Sequence, residues 1–384
     1  MATDDGYYAI IVGIKYADEA LNTLQGPEND AQSFCKWAVE PDGGGVPDDD
    51  THRQLILSSR FGGAVEPTAA RVVAAFDALD AIARQKADAG LRRRVGKRLY
   101  IYLAGHGFAP SNNDEETGLL VADAKFGDYQ QHVLGRYCAQ WAYKAYYFDE
   151  IILFMDCCRT PLQTNPVLNF KPRELNAAGF EKVMRFYCFA CRWSFKTRER
   201  EMPPDRSWRG VFTTALLEGL RGAASDDRGR VTADSLYRYL KNFTQCYMSP
   251  AERADLSVPK EPDIFYEPDH GRKIILATVK ADRPSVMERL MSFFSGTGFS
   301  PPPLKGYKVR ITLPEDVAGE EVEVLDSKLK RVAHTQAAEN QPVWELELEP
   351  GFYVAKLAES PLGEPFTVGC GGPVDVDLTV GLTA

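Results

Sequence analysis

The sequence predicts an α/β fold, a mostly parallel sheet with helices on both faces, followed by a smaller all-β unit. Three observations carry this. Through roughly the first 280 residues, short continuous apolar runs alternate with helical periods, as in parallel sheets buried on both faces. Two of those runs, 98–104 and 151–155, stop abruptly at Gly105-His106-Gly107 and at Asp156-Cys157-Cys158. Beyond residue 305 the pattern changes to strict polar/apolar alternation.

Taken in order, 7–14 is apolar and β-branched, a buried strand. Pro27 suits the first turn of a helix that runs to about residue 39. The stretch 41–50, with three glycines, two prolines and Asp48-Asp49-Asp50, is a loop. Residues 54–57 form a short strand. Pro67-Thr68 opens a helix with Val72, Phe76, Leu79 and Ala83 on one face. Strand 98–104 follows, then a helix over 129–147, strand 149–155 and strand 183–193. Helices are expected near 210–221 and 232–246, and 272–279 reads as the last strand of a first domain spanning 1–280.

Residues 281–304 read as a linker with one short amphipathic helix (Val286, Leu290, Met291, Phe294), ending in Ser300-Pro-Pro-Pro303. The segment 305–384 alternates in 307–313, 321–325, 343–348 and 374–380, with a Pro350-Gly351 turn, and reads as an antiparallel β-sandwich-like accessory domain.

The chain has 384 residues, 44% hydrophobic and 26% charged, with net charge −9. It is long enough for a sizeable core and for two domains. An acidic chain is a poor binder of nucleic acid. The N-terminus lacks the basic-then-apolar run of a signal peptide. No apolar stretch reaches the roughly 20 residues of a membrane span. A cytoplasmic protein with no membrane partner is expected, its eight cysteines reduced rather than paired. Cys188 and Cys191 make a C-x-x-C inside a strand-like run, where core packing is the reading. With no second Cys/His pair nearby, no zinc site is expected.

In a parallel sheet, chemistry sits beyond the carboxyl ends of the strands. One strand delivers His106 and another a cysteine to that edge. The chain here resembles the caspase-like cysteine peptidases, above all the bacterial caspase homologues and metacaspases (peptidase family C14, clan CD). The resemblance rests on the His–Cys spacing of roughly fifty residues, on Tyr8-Ala-Ile-Ile-Val-Gly-Ile14, on Leu24-Gln-Gly-Pro-Glu-Asn-Asp30-Ala31 and on Gly210-Val-Phe-Thr-Thr-Ala-Leu-Leu-Glu-Gly219. It covers about residues 6–245. It implies a three-layer sandwich with a six-stranded sheet. Two departures stand out. Asp156-Cys157 replaces the family's Gln-Ala or Asp-Ser before the nucleophile, and Arg159-Thr160-Pro161 follows where a glycine is usual.

The resemblance implies a cysteine endopeptidase. His106, flanked by glycines that let a substrate approach, serves as acid and base. By the family's Asp-x-Cys pattern Cys158 is the nucleophile. Strand alternation says only that one of Cys157 and Cys158 faces the site. The backbone N–H groups of Gly107 and Cys158 would form the oxyanion pocket. The metacaspase pattern implies Asp30 and Asp156 as carboxylates for an Arg, or Lys, side chain, since carboxylates bind guanidinium through short, charge-assisted bonds. Trp193 is a candidate groove wall. Arg198, Arg200 and Arg206 lie in a charged, Pro-broken loop and are candidates for processing.

No cofactor is expected. Asp48–Asp50 lacks EF-hand spacing, so calcium dependence, known in some metacaspases, has no support here. Expected partners are proteins with exposed basic residues, and an activating protease or regulator acting through the β-domain. Antiviral defence or regulated cell death is the family-level expectation. Two alternatives stand beside this reading: a catalytically silent scaffold, and a protease that prefers acidic residues.

Overall fold

A computed structural model describes residues 6–21, 24–61, 65–163, 179–202, 205–226, 228–255, 258, 261–271, 273–279, 306–314, 317–326, 330–338, 342–360, 363–369 and 373–378. The chain starts with β1 (Tyr7–Gly13), α1 (Gly26–Val39), β2 (Arg53–Leu57), α2 (Ala69–Asp88) and β3 (Arg98–Ala104). Short strands β4 (Gly107–Pro110), β5 (Gly118–Leu120) and β6 (His132–Leu134) lead into α3 (Gly135–Lys144) and β7 (Glu150–Asp156). Then come β8 (Thr160–Leu162), β9 (Met184–Phe189), β10 (Glu199–Met202), β11 (Ser207–Gly210), α4 (Val211–Glu218), β12 (Arg230–Thr232) and α5 (Ala233–Phe243). The strands β13 (Asp263–Tyr266) and β14 (Ile275–Thr278) end this part.

The central sheet has six strands in the order β13-β9-β7-β3-β1-β2. All are parallel except β13, which runs antiparallel to β9. Alternate residues feed two separate cores. Ile11, Tyr100, Tyr102, Ile152, Phe154 and Phe186 pack with α1, α4 and α5 on one face. Ile10, Val12, Leu99, Ile101, Leu103, Ile151, Leu153 and Tyr187 pack with α2 and α3 on the other. Burial on both faces is why these strands read as unbroken apolar runs.

Three expectations are corrected. The sixth strand is β13. The predicted last strand, seen as β14, leaves the central sheet and pairs antiparallel with β12. The start of the expected 129–147 helix is strand β6, because His132–Leu134 pairs with β5. Cys246 is disulfide-bonded, so the cysteines are not all reduced thiols. Asp48 and Asp50 pair with Arg53, and Asp49 accepts the Thr51 and His52 N–H groups. No helix among the described residues is long and apolar enough to cross a membrane.

The C-terminal part contains β15 (Tyr307–Thr312), β16 (Glu321–Asp326), β17 (Arg331–Gln336), β18 (Val343–Leu348), β19 (Gly351–Leu357), β20 (Glu364–Val368) and β21 (Val374–Asp377). They form a three-stranded sheet, β18-β15-β21, and a four-stranded sheet, β17-β16-β19-β20. Val309, Ile311, Val322, Val324, Ala355 and Val368 make their own core. Pairing is antiparallel except between β15 and β21. Phe352 of β19 packs against Phe243 of α5, ring centroids 5.9 Å apart. The expected linker 281–304 lies outside the described residues.

Candidate active site

Strands β3 and β7 are paired neighbours, with Ala104 opposite Asp156. The segments that leave them therefore emerge side by side at one sheet edge. The Gly105 N–H donates to the Asp156 carbonyl at 3.2 Å, which ties the histidine and cysteine segments together. Gly105 has φ +156°, and a Cβ there would stand 2.6 Å from the Tyr16 hydroxyl, so the position requires glycine. His106 is held by its backbone. Its N–H donates to the Tyr16 hydroxyl at 2.7 Å, and its carbonyl accepts the Leu120 N–H at 2.9 Å. Tyr16 in turn donates to the Leu120 carbonyl at 2.8 Å and stacks at a tilt on the imidazole, centroids 4.7 Å apart. Burial pushes the Tyr16 pKa well up, so the hydroxyl stays a donor.

The two cysteines lie just beyond the end of β7 and separate in burial. Cys157 is 1% exposed and joins the core under α2 and α3. Cys158 is partly exposed and lines a cleft of about 450 Å³ together with His106, Gly107, Asp30 and Asp156. A Cβ on Gly107 would stand 2.7 Å from both the Cys157 Cβ and the Cys158 carbonyl oxygen. Glycine thus lets the two backbones that carry the candidate oxyanion donors meet. Burial raises the Cys158 thiol above its ordinary value, opposed by the Thr197 N–H and by the charges of Lys196 and Arg198. A thiol held neutral in this way needs a neighbouring base to become nucleophilic, and His106 shares its cleft.

Two buried carboxylates line the same cleft. Asp30, on α1, is 2% exposed; its Oδ2 accepts the Gly210 N–H at 2.8 Å, and its Oδ1 is buried with no partner. Burial raises its pKa well above its ordinary value, and the Asp156 charge adds to that. Asp156 accepts from the Thr213 hydroxyl (2.6 Å), the Thr213 N–H (3.2 Å) and the Thr197 hydroxyl (3.1 Å). Its pKa is also raised by burial, against those donors.

A third carboxylate, Glu199, lines the same cleft. It sits opposite Gly210 across the β10–β11 hairpin. It accepts the N–H groups of Gln25 and Gly26 at 3.1 and 2.8 Å, capping α1, whose own Gln25 side chain makes no cap bond. Among the described residues no three His, Cys, Asp or Glu side chains are grouped to hold a metal ion.

Of the remaining candidates, Arg198 lines the cleft. Trp193 is 39% exposed and is not among the lining residues, where Lys196, Thr197, Arg198 and Glu199 stand instead. Arg200 is in β10, bonded to Glu252 and the Tyr247 carbonyl. Arg206 is exposed in the β10–β11 turn and paired with Glu201. Tyr16, Thr197, Thr213 and Glu199 had no signal in the sequence: each is one polar residue among many until the fold brings it to the edge.

Gly210 gives a direct test of the acidic wall. A Cβ there would stand 2.1 Å from Asp156 Oδ2 and 3.1 Å from Asp30 Oδ2. Overpacking of this kind costs about 1–3 kcal/mol. Gly210→Ala is expected to lower the melting temperature by several degrees in a thermal scan, and a glycine-like profile would contradict the packing described.

No family model matches the chain. A curated protein named a probable protease, from a Desulfuromonadales bacterium, is 25% identical over 280 residues, covering 68% of this chain and 32% of that protein. The chain thus spans about a third of the length of that relative. Among solved structures, caspase-1 from Spodoptera frugiperda is similar at 11% identity and a TM-score of 0.38, covering 68% of this chain and 86% of that one.

Proposed function

We propose that the chain is a cysteine endopeptidase of caspase type that cleaves proteins after arginine, and after lysine less well. One observation carries the reading: His106, Cys158 and Asp30 all line a single cleft, and the buried Oδ1 of Asp30 has no hydrogen-bond partner. A buried acceptor without a donor costs stability. A cationic side chain would supply the donor. The name of the Desulfuromonadales relative supports proteolysis in general.

The chemistry follows from the residues. His106 takes the Cys158 proton as the sulfur attacks the scissile carbonyl carbon. The developing oxyanion meets the N–H groups of Gly107 and Cys158. His106 then returns the proton to the leaving amine. Water, deprotonated by His106, hydrolyses the thioester and frees the thiol. Asp30 and Asp156 hold the guanidinium, whose planar fork suits two carboxylates better than an ammonium does. Glu199 adds charge and keeps α1, hence Asp30, in place. A partner or a nick near the 196–206 segment regulates the enzyme.

Fluorogenic Arg, Lys and Asp peptides test the reading. Turnover is expected in the order Arg, Lys, Asp, with Asp at background; turnover of Asp alone would reject it. A pH dependence is built in. Protonated aspartates cannot hold a cation, and both carboxyls titrate above the ordinary range. As pH falls, KM for the Arg peptide is therefore expected to climb at a higher pH than an exposed carboxylate would give. A KM that stays flat down to the usual carboxylate range would contradict this.

A further inference from the structure

Arg159 follows Cys158 directly and is a buried charge that the proposed chemistry leaves unused. Its side chain is 1% exposed, rare for an arginine unless it is paired. The guanidinium gathers three separate segments. It donates to the Cys191 carbonyl at 3.3 Å, to the Asp263 carboxylate at the start of β13, and to the Asp114 carbonyl in the loop between β4 and β5. It lies over the Phe189 ring at 4.7 Å, at the end of β9. Its backbone is used as well: the Arg159 N–H donates to the Phe195 carbonyl, and its carbonyl accepts the Ser194 N–H, both at 2.9 Å.

Those two backbone bonds fix the turn at 192–195, in which Ser194 has φ +74°. Two residues on, the Thr197 hydroxyl donates to Asp156, and Thr197 lines the cleft with Cys158, whose thiol pKa the Thr197 N–H lowers. The arginine that follows Cys158 is thus the hub of the loop around the thiol.

We propose that Arg159 is a positioning residue, which sets the place of Cys158 and of the 194–197 turn that supplies Thr197 to both the thiol and Asp156. The proposal rests on the reading of Cys158 as the nucleophile. Lysine cannot reproduce it: one ammonium cannot reach three acceptors in one plane as the fork does.

The test measures the pH dependence of Cys158 alkylation by iodoacetamide, read by peptide mass, alongside kcat and KM for an Arg peptide. Arg159→Met, Arg159→Lys and Asp263→Asn are compared with the native chain. Losing the Thr197 N–H is expected to move the alkylation midpoint upward in Arg159→Met. The kcat is expected to fall at least about tenfold while KM changes less than threefold. Arg159→Lys should lie between, and Asp263→Asn should shift the same way by a smaller amount. A merely structural role would change the melting temperature and leave the midpoint where it was. If Arg159→Met does not fold, unchanged midpoints in both other variants overturn the proposal. A native chain that shows no thiol-dependent turnover would sink the protease reading, while the alkylation midpoints would still decide the role of Arg159.

Discussion

Cys158→Ala is expected to abolish cleavage of an arginyl peptide, with kcat/KM falling by about four orders of magnitude or more, whereas Cys157→Ala keeps the activity within about tenfold. The difference follows from where the two sulfurs sit. Cys157 is buried under the sheet with its thiol pushed well up by burial, out of reach of substrate. Cys158 borders the cleft with His106. Cys157→Ala costs packing instead, about 1–3 kcal/mol, visible as a lower melting temperature. His106→Ala is expected to lose activity as completely as Cys158→Ala, because the thiol is raised by burial and no other histidine lines the cleft. The measurements are steady-state kinetics and thermal scans on the four proteins. A Cys157→Ala protein as inactive as Cys158→Ala, yet folded, would reassign the nucleophile.

Asp30→Asn is expected to lower kcat/KM for the Arg peptide by about 10²–10³, the order of loss when one partner of a buried charge pair is removed. It is also expected to stabilise the protein. Folding raises the Asp30 pKa above its unfolded value, so the folded state binds this proton more tightly. The stability linked to it is fully present below the unfolded carboxylate pKa and is lost as pH rises through the folded value. Above the unfolded value the native chain loses this proton-linked stability, whereas asparagine has no proton to bind. Stability plotted against pH should therefore decline across that window in the native protein and less so in Asp30→Asn. Asp156→Asn should lose activity similarly but gain no stability, because Asp156 already receives three donors that an amide satisfies only in part. Equal melting-temperature changes for the two variants would contradict this distinction.

These residues were legible in the sequence to different degrees, for physical reasons. Parallel strands buried on both faces leave continuous apolar runs, so β1, β3, β7 and β9 stood out, as did the polar residues where β3 and β7 stop. Asp30 and Asp156 were found through family resemblance alone; neither shows by residue type that its side chain is buried. Glu199 was hidden because the charged stretch around it reads as a solvated loop. It is in fact a hairpin strand whose first residue turns toward the N-terminus of α1.

The small sheet β6-β5-β4-β8 was missed because strands of three or four residues are too short to show a period. It matters to the site, since Leu120 at the end of β5 grips His106. β13 was missed for the same reason, and β14 was assigned to the central sheet because its apolar run gives no hint of its partner. Arg159 was visible only as part of a segment, 159–161, that lacks the family's usual glycine. What it does became apparent from the three segments its guanidinium reaches.

The convergence of His106, Cys158 and the acidic wall is tested most directly by an arginyl chloromethyl ketone, followed by peptide mass mapping. The reagent should label Cys158 alone, at a rate that falls when His106 is replaced by alanine or Asp30 by asparagine. Labelling of Cys157, or labelling of Cys158 at the same rate by an aspartyl and an arginyl reagent, would contradict it.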